Sequence, residues 1–227
     1  MDYDDLEHAL RDSSAAPHAP RDAAAEALAE IASGRRELRA VRHPLGFLCL
    51  PLLRDGERGV CVHLFADGGS DAAAGGPGTA AGAVMHAHSW ELRSHVLYGT
   101  VANVPVRVRD SPSAPTHRVF EVRSDPTGVD ELLPTQRLVR CEPGEGHTSS
   151  RGQTYTLPAG EFHATLVTRD APAATLVLGR SLPGRSDLVL GPLCGDGHST
   201  VRRLCGAEHT QRSVRTALRR VHAQQRR

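Results

Sequence analysis

Short apolar runs separated by Gly, Pro and Asp fill the chain from residue 43 onward, and this pattern limits its possible folds more than any other feature. The runs cover residues 46–53, 59–65, 92–108, 119–123, 136–141, 153–157, 164–168 and 174–178. Strands at this spacing are typical of all-β sandwiches and barrels. We therefore predict an all-β domain over residues 43–193, with a hairpin turn at residues 54–57.

The two ends of the chain differ from this β pattern. Residues 1–42 are predicted to form a helical segment packed on the β domain, with helices over residues 2–11 and 22–32. The second helix is expected to begin after Pro20 and to end at Gly34. Residues 194–227 are expected to form a basic C-terminal tail, either helical or disordered.

Two connecting stretches inside the β domain have the composition of loops. Residues 68–82 are rich in Gly and Ala and offer few side chains to anchor them, so we expect a mobile loop there. Residues 142–152 are polar and are predicted to form a second loop.

Composition excludes several kinds of chemistry. All 27 basic residues are Arg, and a chain without Lys has no Schiff base, no pyridoxal-phosphate anchor and no P-loop. The net charge of +1 argues against a nucleic-acid binder, and no apolar run is long enough to predict a membrane span. The five Cys, in a chain whose first residues do not resemble an export signal, predict a cytoplasmic protein with reduced thiols. The 13 His make a metal site the first option to consider.

Three His residues stand in a pattern that suits a metal. His86 and His88 are two residues apart, so in a strand both side chains point to the same side. His163 follows a Pro-x-Gly turn at the point where another strand begins, and it is placed to supply a third nitrogen. Three neutral imidazoles leave coordination positions open, which is typical of a catalytic metal site rather than a structural one.

These segments resemble the two sequence motifs of the cupin superfamily. The second motif, Gly-x5-Pro-x-Gly-x2-His, is matched at Gly152, Pro158, Gly160 and His163, and the first motif is matched at His86, His88 and Gly99. The resemblance covers roughly residues 43–192. It implies a cupin jelly-roll β-barrel or sandwich.

The Glu ligand of the first cupin motif is displaced in this chain. Leu92 stands at its position, and Glu91 is one residue off and, by strand alternation, is expected on the opposite face. A local irregularity after His88 would let Glu91 turn back toward the metal as a fourth ligand or beside the ligands, and that alternative stays open.

Cupins with only three His ligands resemble the cysteine dioxygenase group, which holds ferrous iron. This resemblance implies a mononuclear non-haem Fe(II) dioxygenase that takes dioxygen and a small, polar, metal-chelating substrate, such as a thiol or an amino-acid derivative like cysteine. Leu92 and Arg93 lie near the position of the crosslinking Cys of the mammalian enzymes, so we expect no such crosslink. Two alternatives are a metal-dependent cupin isomerase, decarboxylase or lyase, and a ligand-binding cupin without turnover. A homodimer is the default expectation for a cupin.

Four further side chains are candidates for substrate contacts. His63 either orients the substrate or is a core His bonded to a backbone carbonyl. Trp90 either walls the pocket or caps the end of the barrel. Arg93 either clamps a substrate carboxylate or points to solvent, and Tyr155 is a candidate without a defined position.

The C-terminal segment contains two Cys-x3-His units, Cys194 with His198 and Cys205 with His209. Two thiolates and two imidazoles are a ligand set that binds structural zinc tetrahedrally. The spacing matches no common zinc module, so a chance repeat is the alternative interpretation.

Overall fold

The computed structural model describes residues 2–12, 18–65, 84–125, 127–168 and 171–223, and the loop predicted at residues 68–82 lies outside these ranges. The described helices are α1 (Tyr3–Arg11), α2 (Ala19–Ser33) and α3 (Ala207–Ala223). The described strands are β1 (Val41–Arg42), β2 (Leu48–Asp55), β3 (Arg58–Phe65), β4 (His86–Ala87), β5 (Trp90–Tyr98), β6 (Thr100–Asp110), β7 (His117–Ser124), β8 (Val129–Pro143), β9 (His147–Ser150), β10 (Thr154–Leu157), β11 (His163–Leu166), β12 (Ala173–Ser181), β13 (Asp187–Gly191) and β14 (His198–Val201).

The strands form two antiparallel sheets. Sheet I has the order β1-β2-β3-β12-β5-β10. Sheet II has the order β14-β8-β7-β13-β4-β11-β6-β9, and β6 also pairs with β8. The architecture predicted from the spacing of the apolar runs, an all-β sandwich with helices added at the ends, is confirmed.

One face of sheet I is apolar and packs against the helices. Leu48 and Leu50 of β2, Val62 of β3 and Leu176 of β12 are buried in one cluster with Leu28 of α2. Burial of an aliphatic side chain of this size contributes about 1.5–3 kcal/mol to stability. The apolar face of sheet I is therefore the face that packs against the helices.

The opposite face of sheet I points toward sheet II. Because successive strand residues point to opposite faces, Cys49 of β2, Cys61 and His63 of β3 and Thr175 of β12 lie on this inner face. The β2–β3 hairpin turns at Gly56, where φ is 53°, as predicted for residues 54–57.

One face of sheet II carries a separate apolar cluster. Ala87 and Ala164 belong to this cluster, and its other buried members are Met85, Val106, Val119, Val139, Phe162 and Leu190. Their sequence neighbours His86 and His163 therefore point to the other face of sheet II.

The helices lie close to their predicted positions. The side chain of Asp2 accepts hydrogen bonds from the backbone N–H groups of Asp4 and Asp5 and caps α1. Helix α2 ends at Gly34, whose φ of 78° suits a glycine cap. No helix in the described part of the chain is long and apolar enough to cross a membrane.

The segment predicted as a basic C-terminal tail contributes to the fold as β14 and α3. Val214, Ala217 and Val221 of α3 are buried in the same cluster as the inner residues of α2. Of the two predicted alternatives for this segment, helical and disordered, the helical one is correct. The apolar face of α3 joins the core, while Arg212 stays exposed.

Two strand assignments from the sequence need correction. The run at residues 92–108 is not one strand, because Gly99, with φ of 76°, separates β5 in sheet I from β6 in sheet II. The stretch at residues 142–152 is not only a loop, because β9 lies inside it and pairs with β6.

Candidate metal centre

The structure brings His86, His88 and His163 together. His86 of β4 and His163 of β11 are direct cross-strand partners, and His88 follows His86 by two residues. The ring centroids are 4.5 Å apart for His86 and His163, 4.7 Å for His86 and His88, and 5.2 Å for His88 and His163. One ring nitrogen from each residue lies within 4.8 Å of the other two.

The Pro-x-Gly turn sets the position of His163 relative to His88. Gly160 has a φ of 80°, and its N–H donates to the carbonyl of His88 at 2.8 Å. The N–H of Glu161 donates to the carbonyl of Pro158 at 3.3 Å and closes the turn. The turn that makes the motif recognisable in the sequence is therefore bonded directly to the strand segment that carries the other two His.

Backbone carbonyls fix the orientation of two of the imidazoles. Nδ1 of His86 donates to the carbonyl of Val84 at 2.9 Å, and Nδ1 of His163 donates to the carbonyl of Glu161 at 3.1 Å. A proton on Nδ1 leaves the lone pair of Nε2 free for a metal. Nε2 of His163 is buried and has no hydrogen-bond partner among the described residues, which is the arrangement expected of a metal ligand.

The environment keeps all three imidazoles neutral. Burial, followed by the nearby His163, lowers the pKa of His86 to about 4. Burial and then His86 lower the pKa of His88 well below its ordinary value, and burial lowers the pKa of His163. Neutral imidazole is the form that binds a cation, so the donor set fits a divalent transition metal.

Glu91 lies outside this cluster. It is an exposed residue of β5 whose cross-strand partner is Arg180 of β12. Among the described residues, the three-His group includes no carboxylate. Strand alternation places Arg93 on the same face as Glu91, which is the helix side of sheet I, so this arginine points away from the inner face.

Trp90 packs at one end of sheet I. The guanidinium carbon of Arg54 lies 4.1 Å from the centroid of the Trp90 ring. A Cβ added to Gly179 would lie 2.9 Å from Trp90 Cε3, so the indole sits directly on the backbone of β12. Strand alternation places Trp90 on the same inner face as Ser94, so this position agrees both with a wall of the interior and with a cover at its end.

Tyr155 reaches across the interior from β10. Its strand partner is Ser94 on the inner face of β5, and its hydroxyl interacts with Ser94 and with Asn103 of β6. Asn103 is the cross-strand partner of Thr165, which shares a face of β11 with His163. Burial raises the pKa of Tyr155, so its hydroxyl keeps its proton.

His63 lines the same interior on the other side. Its ring lies 4.4 Å from the ring of Phe47, which in turn stacks on His43 at 4.3 Å. Repulsion between a protonated His88 and protonated rings at His43 and His63 contributes to the lowered pKa of His88, so these residues are within electrostatic range of the three-His cluster.

Strand alternation places Cys61 and His63 on one face, but sequence reasoning missed Cys49, the third member of this group. Nε2 of His63 lies 3.2 Å from Cys61 Sγ, and the hairpin register pairs Cys49 with His63. The predicted turn at residues 54–57 would not have revealed this pair, because a bulge between Pro51 and Leu53 shifts the hairpin register by one residue and brings Cys49 opposite His63.

The two Cys-x3-His units do not form a metal site in the structure. Cys205 is buried in the core against the helices, whereas Cys194 and His198 are exposed. Among the described residues, only two other groups bring three or more donors within 4.8 Å, so the chance-repeat interpretation agrees with the geometry.

No protein-family model matches the chain, and no curated protein matches it. A solved structure described as "Crystal structures of DMSP lyases RdDddP and RnDddQII" matches 67% of this chain with 19% sequence identity and a TM-score of 0.30. The chain spans about half the length of that protein, 51%. The two antiparallel sheets and the three-His cluster of this chain fit a cupin with a metal-binding site.

Proposed function

We propose that this protein is a mononuclear non-haem Fe(II) oxygenase of the cupin type. Its substrate would be a small, polar, metal-chelating molecule, such as a thiol or an amino-acid derivative, and its second substrate would be dioxygen. The observation that carries the proposal is the convergence of three neutral imidazoles with no carboxylate in the group.

The ligand set favours an open coordination sphere. Three protein donors leave positions for a chelating substrate and for a further small molecule. An isomerase or lyase with a four-ligand site would need Glu91, and this side chain is exposed on the other face of sheet I. The three-His set is the one that the resemblance to thiol dioxygenases requires.

The ligands and the groups that orient them have separate roles in this proposal. His86, His88 and His163 would hold the iron, and the carbonyls of Val84 and Glu161 keep the first and third of these rings in the ligating tautomer. When bound, ferrous iron supplies a redox-active centre that a reaction with dioxygen requires.

Burial of the three-His cluster favours chemistry at a bound metal without bulk water. Burial of the three imidazoles, which is the main cause of their lowered pKa values, indicates a site of low polarity. Tyr155 would donate its hydroxyl hydrogen bond to a substrate oxygen or carboxylate, because its raised pKa keeps it protonated.

Oxygen consumption by the iron-loaded protein tests the proposal. Anaerobic loading with ferrous iron, followed by a panel of small thiols and amino acids, should give oxygen uptake only when iron and substrate are both present. His88→Ala should lose both the bound iron and the uptake, and the matched control His198→Ala, at an exposed position, should keep both.

Two results would reject the oxygenase. Uptake by His88→Ala equal to that of the unmodified protein would show that the three-His cluster is not the site. Turnover that proceeds without dioxygen and with other divalent ions would point instead to Lewis-acid chemistry, such as that of a lyase or isomerase.

A further inference from the structure

A second group of metal-binding atoms lies on the inner face of sheet I. Sγ of Cys49, Sγ of Cys61 and a ring nitrogen of His63 are all within 4.8 Å of one another. Cys49 is the cross-strand partner of His63 in the β2–β3 hairpin, and Cys61 is two residues before His63 on the same face. All three residues are half-buried.

We propose that Cys49, Cys61 and His63 form a second metal site, separate from the three-His cluster, that binds a zinc-type divalent cation. Thiolate and imidazole are the donors that Zn²⁺ prefers in proteins. Zinc bonds of about 2.3 Å to sulfur and 2.0–2.1 Å to nitrogen place neighbouring donors about 3.5–4 Å apart. The separation of Cys61 Sγ and His63 Nε2 is 3.2 Å, so a small movement of the side chains opens the group to an ion.

The charge of the group favours a divalent ion over a monovalent one. Two thiolates cancel the charge of Zn²⁺, whereas a monovalent soft cation such as Cu⁺ would leave a net negative charge between the sheets, where charge is costly to bury.

His43 is not a ligand of this site. The N–H of Leu45 donates to Nδ1 of His43 at 3.2 Å, so the proton of the neutral ring sits on Nε2 and that nitrogen cannot bind a metal. Phe47 stacks on His43, with ring centroids 4.3 Å apart, and its ring is tilted against that of His63 at 4.4 Å. The site thus has three protein ligands and one position open to water or another small ligand.

The register argues for a metal rather than a crosslink between the thiols. Cys49 faces His63 across the hairpin, whereas Cys61 faces Pro51, so the two Cys are diagonal neighbours and not a directly opposed pair. A cation bound to both sulfurs and to the imidazole fits this diagonal placement and uses all three donors.

Titration of the reduced, metal-free, full-length protein with Co²⁺ and Zn²⁺ tests the site. We expect two ions per chain and, with Co²⁺, a near-ultraviolet sulfur-to-metal charge-transfer band. Cys49→Ser and Cys61→Ser should each lose the band and one ion. His88→Ala should lose the other ion and keep the band, so failure of this site is distinguishable from failure of the proposed oxygenase.

Cys141→Ser is the matched control. Cys141 Sγ also lies beside an imidazole nitrogen, 3.1 Å from His117 Nδ1, but this pair belongs to neither of the three-donor groups of the described residues. This variant should keep both ions and the full charge-transfer band.

Alkylation of the unmodified protein gives a readout that needs no variant to fold. Bound Zn²⁺ should slow labelling of Cys49 and Cys61 about tenfold or more, as read by mass spectrometry, because the free thiolate is the reacting form. Labelling of the exposed Cys194 should not change. Equal labelling of Cys49 and Cys61 with and without Zn²⁺, absence of the band, or a Cys49–Cys61 disulfide in place of bound metal would each overturn the proposal.

Discussion

The two donor clusters lie on facing sheets and differ in how their ligands are oriented. On sheet II, backbone carbonyls hold the rings of His86 and His163. On sheet I, Cys49, Cys61 and His63 are positioned by hairpin register and by contacts with one another. The first cluster presents neutral donors that are ready for a metal, whereas the second must release a proton from a thiol before it binds one. One sandwich interior therefore offers two sites with different chemical selectivity.

Gly99 joins the two sheets, and its substitution should damage both clusters together. An added Cβ at this position would lie 2.4 Å from the carbonyl oxygen of Pro172 and 2.8 Å from Ala173 Cα, and the φ of 76° is unfavourable for any other residue. Gly99→Ala should therefore lower the free energy of unfolding by about 3 kcal/mol or more. Urea unfolding of the metal-free protein measures this change.

Gly152→Ala is the control for this prediction. Gly152 also has a positive φ, 80°, but an added Cβ would meet no atom within 4 Å. Only the backbone strain remains, and we expect a loss of about 1 kcal/mol. Equal losses at the two positions would show that the approach of β5 and β6 to Pro172 does not limit stability.

Single substitutions should separate the two clusters. His88→Ala removes one of only three protein ligands, so the three-His site should lose its ion, with a fall in affinity beyond the roughly tenfold to hundredfold that loss of an outer-shell partner costs, and the thiol site should be unchanged. Cys61→Ser should have the reverse effect. Metal analysis after equilibrium dialysis reads both sites, and loss of both ions from either variant would mean that the clusters are one site.

The pH dependence of metal retention should also differ between the clusters. The lowered pKa values, about 4 for His86, keep the imidazoles unprotonated as the pH falls through 6.5, so protons do not displace their metal until the solution is more acidic. A hydrogen bond with Cys49, together with burial, raises the pKa of Cys61 well above 9.0, so protons compete for this sulfur already near neutrality. Between about pH 8 and 5, the thiol site should empty first. Dialysis at a series of pH values tests the order, and earlier release from the three-His site would contradict it.

The three-His cluster could be predicted because its information is local. His86 and His88 are two residues apart in one short strand, and the turn before His163 carries a Pro and a Gly at fixed positions. The contact between them follows from one cross-strand pair. The position of Glu91 could also be predicted, because strand alternation alone places it on the face of β5 opposite to that of Leu92.

The thiol cluster and the sheet boundary were not predicted, because they depend on relations between strands. Cys49 and His63 are neighbours only because of the register of the β2–β3 hairpin, and the apolar pattern of each strand does not predict that register. The apolar run at residues 92–108 continues through Gly99 without a change of pattern, although the chain passes there from sheet I to sheet II. Helix α3 looked like a basic tail because its Arg residues outnumber the few apolar side chains that it buries.

Glu91→Gln should have the smallest effect, and this result would sharpen the distinction between an imidazole site and a carboxylate-containing one. The side chain is exposed beside Arg180, so removal of its charge should change the free energy of unfolding by less than about 0.5 kcal/mol. The iron content after dialysis should equal that of the unmodified protein and that of Glu57→Gln, a control at the exposed β2–β3 turn. A selective loss of iron from Glu91→Gln would mean that the carboxylate reaches the metal. The site would then have four protein ligands, and the case for positions open to both a chelating substrate and dioxygen would fail.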